Sequence, residues 1–139
     1  MINIILGRKG EGKTKIIIGT ANACINRALG SVVYLDKDAS HIYDLDRRIR
    51  LVNISDFPIT SQDGFVGFIY GLLSADHDVS DIFFDGFYDI SKSNIDNIEN
   101  LFKVLDSISK NYKVDMTLSL SESMESLPEY IKQFVKVVI

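Results

Sequence analysis

A single cysteine, Cys24, is all the thiol this chain holds, so no internal disulfide can form. That absence suits a reducing cytoplasm, where stability comes from packing rather than covalent staples. Basic residues are not in surplus: 15 Lys and Arg face 19 Asp and Glu, for a net charge of −4. A general DNA- or RNA-binding role calls for the opposite balance. No apolar run nears the roughly 20 residues that span a bilayer. The amino terminus runs Met1-Ile2-Asn3-Ile4-Ile5-Leu6 and only then turns basic, the reverse of a secretory leader. Prolines number two, Pro58 and Pro128, both near predicted helix starts where proline is tolerated. Repeats, low-complexity tracts and linkers are lacking as well. What remains is 139 residues with 46% hydrophobic and 24% charged side chains, enough for one core but not two. The expectation is one soluble, cytoplasmic domain over residues 1–139.

Short β-branched runs alternate with helix-like stretches. Residues 2–6, 31–35, 48–54, 81–85, 114–120 and 134–139 read as strands. Helices are expected over 14–29, closed by Gly30, and over 61–73. A long helix is expected from Ser93, where Ser93-Asn94-Ile95-Asp96 resembles a capping box, and a short one after Ser126-Leu127-Pro128-Glu129. Ile95, Ile98, Leu101, Phe102, Leu105 and Ile108 give the long helix one apolar stripe. Strands alternating with helices imply parallel βαβ units. The expected class is α/β, a three-layer sandwich around a mostly parallel central sheet.

The chemistry lies in Gly7-Arg8-Lys9-Gly10-Glu11-Gly12-Lys13-Thr14, which fits G-x-x-x-x-G-K-[ST] at every position. With glycine at about 7% of residues, a chain this long matches by chance roughly once in 200. The motif also follows a buried strand and opens a helix, the context in which it binds phosphate. Glycines let successive N–H groups point at phosphate oxygens, and the helix start adds its free amides and positive dipole end. Lys13 would reach the β- and γ-phosphates, and Thr14 would offer its hydroxyl to Mg²⁺. The segment Gly7 through Lys15 is the candidate contact region for ATP. Within it, Arg8 and Lys9 are either extra cations over the phosphates or a solvated pair, and Glu11 points to solvent.

A second carboxylate must organise the metal. Asp85 ends the apolar run before it, the form of a Walker B element, and would hold Mg²⁺ through water beside the loop. The next residue is Gly86 rather than a water-activating glutamate. A catalytic base must then come from elsewhere. Asp36 and Asp38 leave another strand end, where either could face the γ-phosphate or form a solvated turn. Ser119 and Ser121 stand at the end of the 114–120 strand, placed to sense the γ-phosphate or simply to turn the chain.

Arg47, Arg48 and Arg50 form the densest basic cluster, either completing a neighbouring subunit's site or facing solvent from an alternating strand. His41 and His77 lack metal-ligand spacing and read as surface residues. Phe83, Phe84, Phe87 and Tyr88 read as packing rather than as a base-stacking platform.

The order of loop strand, acid-ending strand, Walker B strand, polar-ending strand and closing strand resembles a minimal RecA-like P-loop ATPase core. Tyr34-Leu35-Asp36-Lys37-Asp38 is similar to the RecA-like segment whose last acid activates water. The resemblance therefore places the base on Asp38, with Asp standing where glutamate is usual. Along Gly7–Thr14, Val32–Asp38, Ile49–Phe57, Phe83–Phe87 and Leu127–Lys132 the chain also resembles small stand-alone ATP-binding proteins of Firmicutes. These are sometimes labelled after the pilus-retraction ATPase PilT, whose sensor domain and longer motif boxes this chain lacks. Deviant P-loop ATPases carry a second lysine where this chain has Arg8. The implied function is a slow Mg²⁺-dependent ATPase acting on or with a protein partner, alone or as a homo-oligomer. The alternatives are a nucleotide-binding regulator without turnover and a small-molecule kinase, for which no lid insertion is legible.

Overall fold

A computed structural model describes residues 1–139. Six strands form: β1 (Ile2–Gly7), β2 (Ser31–Asp36), β3 (Arg50–Asn53), β4 (Val79–Phe84), β5 (Asp115–Ser121) and β6 (Val135–Val138). They make one sheet in the order β3-β2-β4-β5-β1-β6, with every neighbouring pair parallel. Helices α1 (Lys13–Cys24), α2 (Gln62–Ala75), α3 (Phe87–Ser91), α4 (Ile98–Tyr112) and α5 (Glu129–Lys132) lie between them. The expected α/β sandwich is what the chain forms. No helix is long and apolar enough to cross a membrane.

Strand periodicity sorts the core into two layers. Ile4, Leu6, Val33, Leu35, Ile82 and Phe84 face α2 and α4, whose Phe65, Ile69, Leu101, Phe102 and Leu105 complete the larger cluster. The intervening residues Ile5, Val32, Tyr34 and Phe83 face Ile17, Ala21 and Cys24 of α1 in a smaller one. Burial on both faces is why these strands read as nearly continuous apolar runs. Phe87 sits at the centre of the larger layer, edge-on to Phe65, Phe84 and Phe102 at 5.7–5.9 Å.

Several boundaries differ from the sequence expectation. Helix α1 stops at Cys24 instead of running to 29, and the Arg27 amide turns back onto the Cys24 carbonyl at 3.0 Å. Gly30 is no helix cap. It lets the backbone pass so close to Asp78 that an added Cβ would meet the Asp78 carbonyl oxygen. The Ser31 amide then donates to that same oxygen at 2.8 Å. Helix α4 opens at Ile98, not at Ser93, because local side chains claim the intervening amides. Asn97 Oδ1 accepts from the Asn94 amide at 2.8 Å, and Asn94 Oδ1 accepts from the Asp96 amide at 2.9 Å. Ser126 likewise pairs with the Ser123 hydroxyl and caps nothing; α5 starts from Pro128 without a side-chain cap. Helix α3, directly after Gly86, has too few residues to show a helical period and was absent from the expected elements.

Candidate functional site

The carboxyl ends of β1, β2, β4 and β5 open on one cavity of about 510 Å³. The loop after β1 forms one wall. Gly10 and Gly12 have φ values of 85° and 93°, in the left-handed region that side chains with a Cβ avoid. Gly12 is the N-cap of α1 and offers no capping side chain. By contrast, α2 is closed by Ser61, whose Oγ accepts from the Gly64 amide at 3.0 Å. The start of α1 thus keeps free amides and its positive dipole end for an external anion.

Lys13 is buried, and its Nζ donates to the Arg8 carbonyl at 2.9 Å, folding the side chain back over its own loop. Burial lowers its pKa, against the opposing charges of Asp85 and Glu11. A phosphate would offer this ammonium a charged acceptor in place of a neutral carbonyl. Thr14, one residue further, points its Oγ1 at Asp85 Oδ1 over 3.3 Å. Lys9, Gly10 and Gly12 line the same cavity. Arg8 and Glu11 line a separate depression behind the loop with Gly7, and Lys15 is exposed on α1.

Asp85 is 6% exposed, and both oxygens of its carboxylate accept hydrogen bonds. Strand β5 lies between β4 and β1, which puts Ser119 beside Asp85. Ser119 Oγ donates to Asp85 Oδ1 at 3.1 Å and accepts from the Gly86 amide at 2.8 Å. On the other side, the Tyr34 hydroxyl donates to Asp85 Oδ2 at 2.9 Å. Burial, then the Asp85 charge, raises the Tyr34 pKa, so the phenol stays a donor.

The two candidate bases differ sharply. Asp36 follows Leu35, which pairs with Phe84, so Asp36 and Asp85 leave neighbouring strand ends. Asp36 is 5% exposed, and burial followed by the Asp85 charge pushes its pKa up to about 6. Asp38 stands exposed at the rim with Oδ1 on the Ser40 amide and hydroxyl, and these hydrogen bonds lower its pKa. His41 lines the rim as well, with Nδ1 3.1 Å from Asp44 Oδ2. That hydrogen bond raises its pKa, whereas its lone position in the sequence suggested plain surface.

No protein-family model matches the chain, and no curated protein does. Among solved structures it is similar to the flagellar accessory protein FlaH from Methanocaldococcus jannaschii, with a TM-score of 0.56 over 95% of the chain at 18% identity. The fold is RecA-like. The chain spans 65% of the length of FlaH, and at this identity the likeness speaks for fold alone.

Of the other sequence candidates, the arginines and His77 lie apart from the cavity, whereas Phe87, Tyr88 and Ser121 line it. Arg48 is held by Asp46 at 2.9 Å and by Asn26, Arg50 stands 3.8 Å from Asp76, and Arg47 is exposed. His77 is exposed in the turn before β4. Phe83, Phe84 and Phe87 are core residues, and Tyr88 donates to Glu122 at 3.1 Å. Ser121 lines the cavity from the end of β5. The residue that sequence reasoning missed is Tyr34. Its signal was present, since strand period two puts it on the same face as Asp36.

Proposed function

We propose that the chain binds ATP with Mg²⁺ at the Gly7–Thr14 loop and hydrolyses it slowly, acting on or with a protein partner in the cytoplasm. The observation that carries this reading is the convergence on one cavity of an uncapped helix start, a buried loop lysine and the Thr14–Asp85 contact. These residues fit the ligand. Loop and helix amides would take phosphate oxygens, Lys13 would bridge the β- and γ-phosphates, and Lys9 is the favoured extra cation. Thr14 and Asp85 supply the few hard oxygens that Mg²⁺ takes from protein when phosphates and water complete its shell. The ion, when bound, neutralises charge between the phosphates.

For water activation, Asp36 has better support than Asp38. A general base works best with a pKa near the working pH, which favours the buried acid near 6 over a rim carboxylate held low by Ser40. A second reading, a nucleotide-binding regulator with no turnover, is favoured by Gly86, which leaves no carboxylate directly after Asp85. The protein-partner element rests on the RecA-like fold and on the accessory role that the name of FlaH states for that protein.

Calorimetry with ATP and Mg²⁺ on the wild type and on Lys13→Ala tests the site. Binding by the wild type and at least a 10-fold loss in the variant are expected; equal affinity would remove Lys13 from the site. Phosphate release, followed against protein concentration, separates the two readings. Release supports the ATPase, tight binding without release supports the regulator, and a steep rise with concentration indicates a site shared between copies.

A further inference from the structure

A fully buried tyrosine hydroxyl ends on the carboxylate at the back of the cavity. The Tyr34 ring lies in the α1-facing layer, parallel to Phe83 within 19° at 6.4 Å between centroids. That packing requires only the ring, and phenylalanine would fill the same apolar space. The hydroxyl is different, because a buried donor must find an acceptor. It has one in Asp85 Oδ2 at 2.9 Å. The other oxygen, Oδ1, takes Ser119 Oγ at 3.1 Å and faces Thr14 Oγ1 at 3.3 Å. The two carboxylate oxygens are therefore divided between tasks. Oδ2 is tied to β2, and Oδ1 is turned toward the loop.

We propose that Tyr34 is a positioning residue, whose hydroxyl holds the Asp85 carboxylate in the orientation that presents Oδ1 beside Thr14 to the divalent cation of the bound nucleotide. The inference rests on the nucleotide-binding reading above. An ionised carboxylate only accepts hydrogen bonds, so without the Tyr34 donor Oδ2 loses its partner and only the Ser119 and Thr14 contacts at Oδ1 restrain rotation about the Cβ–Cγ bond. Partners behind a metal ligand set the orientation of that ligand, and losing one typically weakens metal affinity about 10- to 100-fold. Phosphate contacts by Lys13 and the loop amides do not pass through Tyr34. The effect is thus confined to the metal.

The test is Tyr34→Phe in the full chain, with a fluorescent non-hydrolysable ATP analogue as probe. Its affinity is measured in EDTA and across a Mg²⁺ titration. For the variant we expect an EDTA affinity within about 2-fold of wild type and a half-saturating Mg²⁺ concentration raised about 10-fold or more. Phe83→Leu, which disturbs the same packing layer without touching Asp85, keeps the wild-type Mg²⁺ dependence. In an Asp85→Asn background, adding Tyr34→Phe changes the Mg²⁺ dependence no further, and the EDTA affinity of each variant reports whether it has folded. An unchanged Mg²⁺ requirement in Tyr34→Phe would overturn the proposal, as would a parallel loss with and without metal or an additive effect in the Asp85→Asn background. Absence of analogue binding by the wild type would instead overturn the nucleotide reading, and the inference with it.

Discussion

Replacing Asp36 by Asn should make the ligand-free protein more stable, and the gain should shrink in acid. Asn keeps the Oδ1 acceptor that receives the Lys37 amide at 2.7 Å, so the turn after β2 is preserved. What it removes is a charge in a poor place. Burial and the neighbouring Asp85 carboxylate lift the Asp36 pKa from the ordinary 3.8 to about 6, with Asp38 adding to the effect and the Lys37 amide and His41 opposing it. A carboxyl with a raised folded-state pKa favours folding fully below its unfolded value of 3.8, and this contribution is lost as pH rises through 6. At about 1.4 kcal/mol per pH unit, the ionised side chain opposes folding by up to about 3 kcal/mol at pH 8. Water in the open cavity reduces this, so about 1–3 kcal/mol is expected, or about 4 °C in Tm per kcal/mol for a domain of this size. At pH 4.5 about two thirds of the advantage should be gone, because the wild-type carboxyl is then protonated in the fold. Thermal melts of both proteins at pH 8 and pH 4.5 measure this. An Asn variant less stable than wild type at pH 8, or an advantage independent of pH, would refute the reasoning.

Further outcomes follow from the same geometry. Asp36→Asn should lower phosphate release about 100-fold or more, the usual contribution of a general base, whereas Asp38→Asn should change it less than about 3-fold; the reverse order would return the base to the rim. Phe87→Ala should cost about 3–5 kcal/mol in chemical denaturation, since its ring joins three aromatic neighbours at the centre of the larger core layer. Gly30→Ala should cost about 1–3 kcal/mol by the same measurement, because its new methyl group meets the Asp78 carbonyl rather than a side chain that could move.

The glycine-rich loop before α1, the α/β class and the strand-ending acid were legible in the sequence because each depends on local pattern. A glycine motif between a buried strand and a helix carries its own conformational requirement, seen here in the left-handed Gly10 and Gly12. Apolar runs announced strands buried on both faces, and the stripe from Ile95 to Ile108 announced α4, although Ile95 itself lies before the helix. Boundaries were less legible, since Asn94 and Asn97 captured amides that helix propensity alone would assign to α4. The division of labour among the acids was not legible at all. Asp36 and Asp38 are two residues apart and chemically identical, yet one is buried beside Asp85 and the other is solvated on Ser40. Only the sheet order decides that. It brings β2 against β4 and inserts β5 before β1, so that Tyr34, Ser119 and Thr14 meet on one carboxylate. Sequence by itself determined which candidate groups this protein carries: a glycine loop, a lysine, a threonine and several strand-ending acids. Tertiary structure alone decided which acids lose water and which keep it, because desolvation is a property of neighbours brought together from distant parts of the chain.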